Sequence, residues 1–137
     1  MGYSVAAGIG SKIYNKKSIV FSIIGDGSFM INVQELQFIK KNKIDLKIII
    51  LDNNIFGNTY IGSKELFGNP SFGNDDKNGY YPPDIKVLAK TYNLKYFNLE
   101  NNSKIYSTLK KFIKSKGTSI MHVKISKEQN LIDLSKE

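Results

Sequence analysis

Asp26 lies between two glycines and before a hydroxyl side chain, in Gly25-Asp26-Gly27-Ser28, and a second polar cluster, Asn53-Asn54, follows with residues 28–52 between Gly27 and Asn53. Each cluster closes an apolar run: Ile19, Val20, Phe21, Ile23 and Ile24 before the first, and Ile48, Ile49, Ile50 and Leu51 before the second. Such runs read as buried parallel strands, so both clusters fall at strand carboxyl ends, where ligands bind in open α/β sheets. Mg2+ prefers oxygen ligands, often one or two from protein and the rest from phosphates and water, and Asp26 with an asparagine of the 53–54 pair can supply the protein share. The glycines allow backbone to come close to a phosphate, and the N–H groups of Gly27 and Ser28 form an anion-binding concavity near a helix start. Alone, a Gly-Asp-Gly is a common turn and an Asn-Asn pair a common strand end. Adjacent parallel strands hold their ends about 5 Å apart, so the two clusters together specify a site for a metal diphosphate.

The rest of the chain supplies elements to hold these clusters. Val5, Ile9 and Ile13 recur at helical spacing over residues 3–14, and Ala6, Ala7, Gly8 and Gly10 let that helix approach a neighbour closely. A strand over residues 18–24 runs into a tight turn at Gly25-Asp26-Gly27-Ser28. Asn32 and Glu35 form a capping-box pattern that starts a helix over 32–42, with Val33, Leu36, Ile39 and Phe38 as its apolar face. The second strand covers 46–51, and periodicity is then lost over 55–83, which reads as a long binding loop or lid. Pro82-Pro83-Asp84 starts a helix that buries Ile85, Leu88, Ala89 and Tyr92. A strand at 95–99 follows, then a helix capped by Asn102 or Ser103 with Ile105, Leu109, Phe112 and Ile113 inward, ended by Gly117, and a last strand at 119–125. This alternation predicts an α/β, doubly wound parallel sheet with helices on both faces, in a single domain over 1–126, with a charged tail at 127–137.

The 137 residues fit one domain, and the hydrophobic fraction of 41% with 23% charged is ordinary for a soluble globular protein. Without cysteine, disulfides, zinc-thiolate and iron-sulfur sites and a catalytic thiol are excluded. No apolar run approaches the roughly 18 residues of a membrane span, and no signal-peptide pattern opens the chain, so a cytoplasmic location without membrane association is expected. The net charge of +8 is carried by lysine, clustered at Lys40, Lys41, Lys43 and Lys47 and at Lys110, Lys111, Lys114 and Lys116. Lysines at helix ends complement the helix dipole and read as solvated faces, and with no stacking strip or reading motif beside them no nucleic-acid partner is expected.

The two clusters and their flanks carry a family resemblance. Gly25-Asp26-Gly27 followed by Asn53-Asn54 resembles the thiamine diphosphate motif, and Met1-Gly2-Tyr3 with Ala6-Ala7-Gly8-Ile9-Gly10 is similar to a stretch of acetolactate synthase and its 2-oxo-acid decarboxylase relatives. Gly79-Tyr80-Tyr81-Pro82-Pro83-Asp84-Ile85 and Leu88-Ala89-Lys90-Thr91-Tyr92 resemble a further segment of acetolactate-synthase-like proteins. The resemblance, over roughly residues 1–126, implies the diphosphate-anchoring domain of a thiamine diphosphate and Mg2+ enzyme that makes or breaks a carbon-carbon bond beside a 2-oxo-acid carbonyl. It implies Asp26 and Asn54 as side-chain metal ligands with the Phe56 carbonyl as the third protein oxygen. It further implies Gly25, Gly27, Ser28 and Gly57 along the cofactor, and Met1 where the family places the residue that props the cofactor in its bent form.

The same resemblance implies a missing half. The family's activating glutamate comes from another domain, none of Glu35, Glu65, Glu100, Glu128 and Glu137 sits in a matching motif, and Met1 falls part way into the family's domain. A pyrimidine-binding domain or subunit is therefore the expected partner, in a homo- or hetero-oligomer, and no catalytic residue is assigned to this chain. The competing reading is a catalytically silent or split-subunit domain that acts through its partner. His122 lies inside the last strand and reads as structural, and Tyr80 and Tyr81 either line the cleft or pack beside the prolines.

Overall fold

The computed structural model describes residues 1–69 and 72–127. Four parallel strands, β1 (Val20–Gly25), β2 (Leu46–Asp52), β3 (Lys95–Leu99) and β4 (Ser119–Lys124), form one sheet in the order β1-β2-β4-β3. Helices α1 (Tyr3–Tyr14), α2 (Asp26–Ile31), α3 (Glu35–Asn42), α4 (Gly57–Phe67), α5 (Ile85–Thr91) and α6 (Ile105–Lys114) connect and cover them. The path from β1 to β2 to β3 moves one way across the sheet and the step from β3 to β4 moves back. Right-handed crossovers put helices on opposite faces when that direction reverses. Accordingly α1, α3 and α5 share one core with Ile24, Leu46, Ile48, Ile50 and Ile120, whereas α6 covers the other face by stacking Phe112 on Phe97 and Phe21. The expected doubly wound α/β sheet is the architecture found.

The small residues of α1 do what their size allows. A Cβ on Gly8 would stand 2.9 Å from a Leu46 methyl, so only glycine lets α1 settle this closely on β1 and β2. The Ser4 and Ser22 hydroxyls hydrogen-bond at 2.9 Å across the same contact.

Several local expectations give way to tertiary contacts. The first strand is half covered rather than buried: Ser22 and Ile24 face α1, but Ile19, Phe21 and Ile23 are 57%, 42% and 58% exposed, because β1 is the sheet edge and α6 lies over the strands farther in. The expected tight turn after β1 is instead the short helix α2, whose Asp26, Gly27 and Phe29 are buried. The next helix starts at Glu35 rather than Asn32, because the Asn32 amide is drawn away from capping and donates to the Gly2 carbonyl at 2.7 Å. The expected loop over 55–83 contains α4, and the part of the tail beyond residue 127 lies outside the described residues.

The expected helix start at Asp84 stands. Its carboxylate accepts from the Lys86 N–H at 2.7 Å and the Val87 N–H at 3.1 Å, two of the donors that α5 cannot satisfy internally. Asp84→Ala should therefore cost about 1 kcal/mol, measured as a lower urea midpoint at unchanged slope. Among the described residues no helix is long and apolar enough to cross a membrane.

Candidate functional site

Residues 25–28 leave β1 as its hydrogen bonding ends, and α2 begins at once, so Asp26 is turned inward at the carboxyl end of the sheet. Its carboxyl group is 2% exposed and accepts from the Tyr80 hydroxyl at 3.0 Å. Burial pushes the carboxyl above its ordinary range, the Tyr80 bond opposes that, and the charge of nearby Asp52 adds to it. Burial, and then the charge of Asp26, hold the Tyr80 phenol far above its ordinary range, so it stays a donor. The Tyr80 ring packs edge-on to Phe56 with centroids 4.7 Å apart. Gly27 sits under both rings: a Cβ there would stand 2.5 Å from Phe56 Cε1. Phe56 and Tyr80 are thereby clamped onto the start of α2, helped by the Phe56 N–H donating to the Asn74 carbonyl at 2.9 Å. The Gly2 N–H donates to the Ser28 hydroxyl at 2.7 Å, which brings the start of the chain onto the same turn.

The end of β2 is held differently. The last residue of the strand, Asp52, is 5% exposed and accepts the Asn54 N–H on Oδ1 at 2.9 Å. Its other oxygen, Oδ2, meets His122 Nε2 at 2.6 Å and Lys124 Nζ at 2.5 Å, both from β4. Tyr96 on β3 completes the line at His122 Nδ1, 2.9 Å away. A carboxylate only accepts, so His122 donates from Nε2, and when Nδ1 carries no proton it receives the Tyr96 hydroxyl. Burial by itself would raise the Asp52 carboxyl, but the bonds from Lys124 and His122 outweigh it and hold Asp52 below the ordinary carboxylate range.

Two hollows open at this end of the sheet, and Asp26 lines both. One, of about 320 Å³, is bounded by Met1, Gly25, Gly27, Ser28, Asn53 and Gly57, together with Phe56 and Thr59. The other, of about 450 Å³, lies over β2, β4 and β3 and is bounded by Asp52, Asn54, His122, Lys124 and Glu100, with Lys86 at the start of α5. The structure thus brings Met1, Gly25, Asp26, Gly27, Ser28, Phe56 and Gly57 around one hollow, and puts Asn53 there beside them. Asn54 turns to the other hollow, in the left-handed conformation at φ 56°. Its neighbour Asn53 accepts the Ile55 N–H on its side-chain oxygen at 3.2 Å. The Phe56 carbonyl already accepts the Tyr60 N–H at 2.7 Å in the first turn of α4, and Met1 is 77% exposed. Tyr80 is buried on Asp26, whereas Tyr81 is 80% exposed.

Sequence reasoning pointed to Gly57 but passed over Asp52 and, in the first turn of α4, Asn58 and Thr59. Asp52 ends an apolar run as any strand-terminal polar residue would, and its partners come from 70 and more residues along the chain. The start of α4 lines the smaller hollow with Gly57, Asn58 and Thr59, residues whose local preference is for turns.

A family model described as "Thiamine pyrophosphate enzyme, C-terminal TPP binding domain" matches residues 1–123. The acetolactate synthase isozyme 2 large subunit of Escherichia coli (strain K12) is 29% identical over 131 residues, 96% of this chain and 23% of that protein. The acetolactate synthase large subunit of Porphyra purpurea is 28% identical over 130 residues, 95% of this chain and 22% of that protein. The solved structure of Rhodococcus jostii RHA1 thiamine diphosphate-dependent 4-hydroxybenzoylformate decarboxylase matches with a TM-score of 0.81 at 23% identity, over 92% of this chain and 23% of that one, which shows a shared fold. The chain therefore spans less than a quarter of the length of these relatives.

Proposed function

This chain belongs to the thiamine pyrophosphate enzyme family, through the C-terminal TPP binding domain, and from that premise we propose that residues 1–126 anchor thiamine diphosphate through Mg2+ at Asp26. The observation that carries the reading is the state of Asp26. It is an acidic side chain at 2% exposure on the rim of two hollows, held by the Tyr80 hydroxyl and the Gly27 N–H with the acidic Asp52 beside it, and among the described residues no cation pairs with it. Burying a charge that way is costly unless a counter-ion belongs there. Carboxylate, amide and carbonyl oxygens are what Mg2+ accepts, and Asp26, an asparagine of the 53–54 pair and the Phe56 carbonyl offer that set. Gly25, Gly27, Ser28 and Gly57 line the hollow alongside, and the first turn of α4, Gly57 to Thr59, borders it with the amino-terminal end of a helix, which favours a diphosphate there.

In this reading the protein binds and orients, and the bound cofactor supplies carbanion chemistry next to a 2-oxo-acid carbonyl, as a decarboxylase or carboligase of the acetolactate synthase type. The group that activates the cofactor comes from a pyrimidine-binding domain or subunit. The exposed Ile19, just before β1, and Phe21 and Ile23 on β1 support such a neighbour, since an apolar strip on an edge strand is a surface for another chain segment. A silent domain that acts only through its partner would expose the same strip, and turnover of pyruvate by the chain mixed with a pyrimidine-binding partner separates the two.

The anchoring role is tested by calorimetric titration of thiamine diphosphate, and separately inorganic diphosphate, into the full chain. Both should bind saturably with Mg2+ and lose that binding in EDTA, while thiamine without phosphates gives no heat. Binding indifferent to Mg2+, or none of either diphosphate, overturns the reading.

A further inference from the structure

We propose that Asp52 is the positioning residue of the diphosphate site, holding the Asn53-Asn54 turn in shape because it is itself anchored to β4 by His122 and Lys124. The proposal rests on the anchoring role argued above and adds to it the device that makes the second polar cluster a defined geometry. The chain leaves β2 through Asn54 at φ 56°, a conformation that L-residues other than asparagine, aspartate and glycine seldom adopt. The Asn54 N–H is fixed there by Asp52 Oδ1, at 2.9 Å. The Asp52 backbone is fixed as well, since its carbonyl accepts the Ile125 N–H at 2.9 Å. What stops the carboxylate from swinging is Oδ2, seated on His122 at 2.6 Å and Lys124 at 2.5 Å. His122 is in turn held by the Tyr96 hydroxyl at 2.9 Å. A line of hydrogen bonds therefore runs from β3 through β4 to the turn after β2, and none of Tyr96, His122, Lys124 and Asp52 is a proposed metal ligand. Side chains that orient ligands through hydrogen bonds govern metal affinity without touching the metal.

The chemistry of the line defines a rescue. An asparagine at position 52 keeps an oxygen for the Asn54 N–H. Its amide can donate to His122 if the imidazole moves its proton to Nδ1 and donates to Tyr96, while Lys124, whose side chain is 51% exposed, turns to solvent. An alanine keeps none of this. Affinity for Mn2+ with thiamine diphosphate, read by electron paramagnetic resonance on the full chain, should fall about 10- to 100-fold in Asp52→Ala and stay within about threefold of the parent in Asp52→Asn. His122→Phe removes the donor that seats Oδ2 while keeping a ring in the strand, and should lose about tenfold. It keeps the test decisive if Asp52→Ala does not fold.

If the parent chain binds no Mn2+ with the cofactor, the anchoring role itself fails. If the parent binds and Asp52→Ala or His122→Phe binds equally well, the positioning role is overturned. Equal losses in Asp52→Ala and Asp52→Asn would also overturn it, because they would show that the charge of Asp52, and not its geometry, matters.

Discussion

Gly27→Ala is expected to lower stability by about 1–3 kcal/mol and to weaken Mg2+-dependent cofactor binding at the same time, because the extra methyl group overpacks the contact that holds the site closed. The new Cβ would stand 2.5 Å from Phe56 Cε1, 2.9 Å from Phe56 Cδ1 and 2.9 Å from the Tyr80 hydroxyl. Gly27 lies in a helix, so its backbone conformation is open to alanine, and the cost comes from space rather than strain. Two relaxations are available. If Phe56 moves, it disturbs the stack with Tyr80 and the start of α4; if Tyr80 moves, Asp26 loses its hydrogen bond. Either way a substitution that touches no charged atom reaches the metal ligand. Chemical denaturation gives the stability change, and titration with thiamine diphosphate and Mg2+ gives the affinity. The companion variant Phe56→Leu in the Gly27→Ala background should recover part of the stability by vacating the space. No recovery would mean that the collision is not the cause.

That contact also shows what was legible in the chain before folding. The strands, their order of appearance and the placing of both polar clusters at strand ends follow from apolar runs and glycines, which act locally. The helix at Asp26–Ile31 does not, because Gly27 and Ser28 favour turns and their helical state is held by contacts from Gly2 and Phe56. The helix at Gly57–Phe67 was hidden for the same reason. It begins with glycine and asparagine, buries only Ser63, and is held by Asn74, whose carbonyl accepts from Phe56 and whose amide donates to the Ser63 hydroxyl. The exposure of Phe21 and Ile23 was invisible because an apolar strand looks alike at the middle and at the edge of a sheet. At the site, residue types pointed to Asp26 and to an asparagine pair. Which of the two hollows each asparagine shares with Asp26 depends on the left-handed twist at Asn54 and on Asp52, whose anchors on β4 no local pattern connects to β2.

Asp26→Asn should separate binding from stability. The variant keeps the size and the acceptor for Tyr80 but removes the charge, so affinity for Mg2+ with thiamine diphosphate should drop by more than about 100-fold, beyond the loss typical of an outer hydrogen-bond partner. In metal-free buffer the same change should raise the melting temperature. Burial lifts the Asp26 carboxyl above its ordinary range, so the folded chain holds that proton more tightly than the unfolded chain does. The contribution of Asp26 to stability is then full below the ordinary carboxylate range and is lost as pH rises through the lifted value. Asp52 runs the other way. Held low by its bonds to Lys124 and His122, it adds stability above the ordinary carboxylate range and gives it up as the solution is acidified through the lowered value. The melting-temperature gap between variant and parent should therefore be small in acid, where Asp26 is protonated in both states, and widen toward neutrality. Mg2+ with thiamine diphosphate should then raise the parent alone, since a ligand stabilises only the form that binds it. A variant that melts lower than the parent in metal-free buffer at neutral pH would mean that the carboxylate is satisfied by protein alone, and the case for a cation at Asp26 would fall with it.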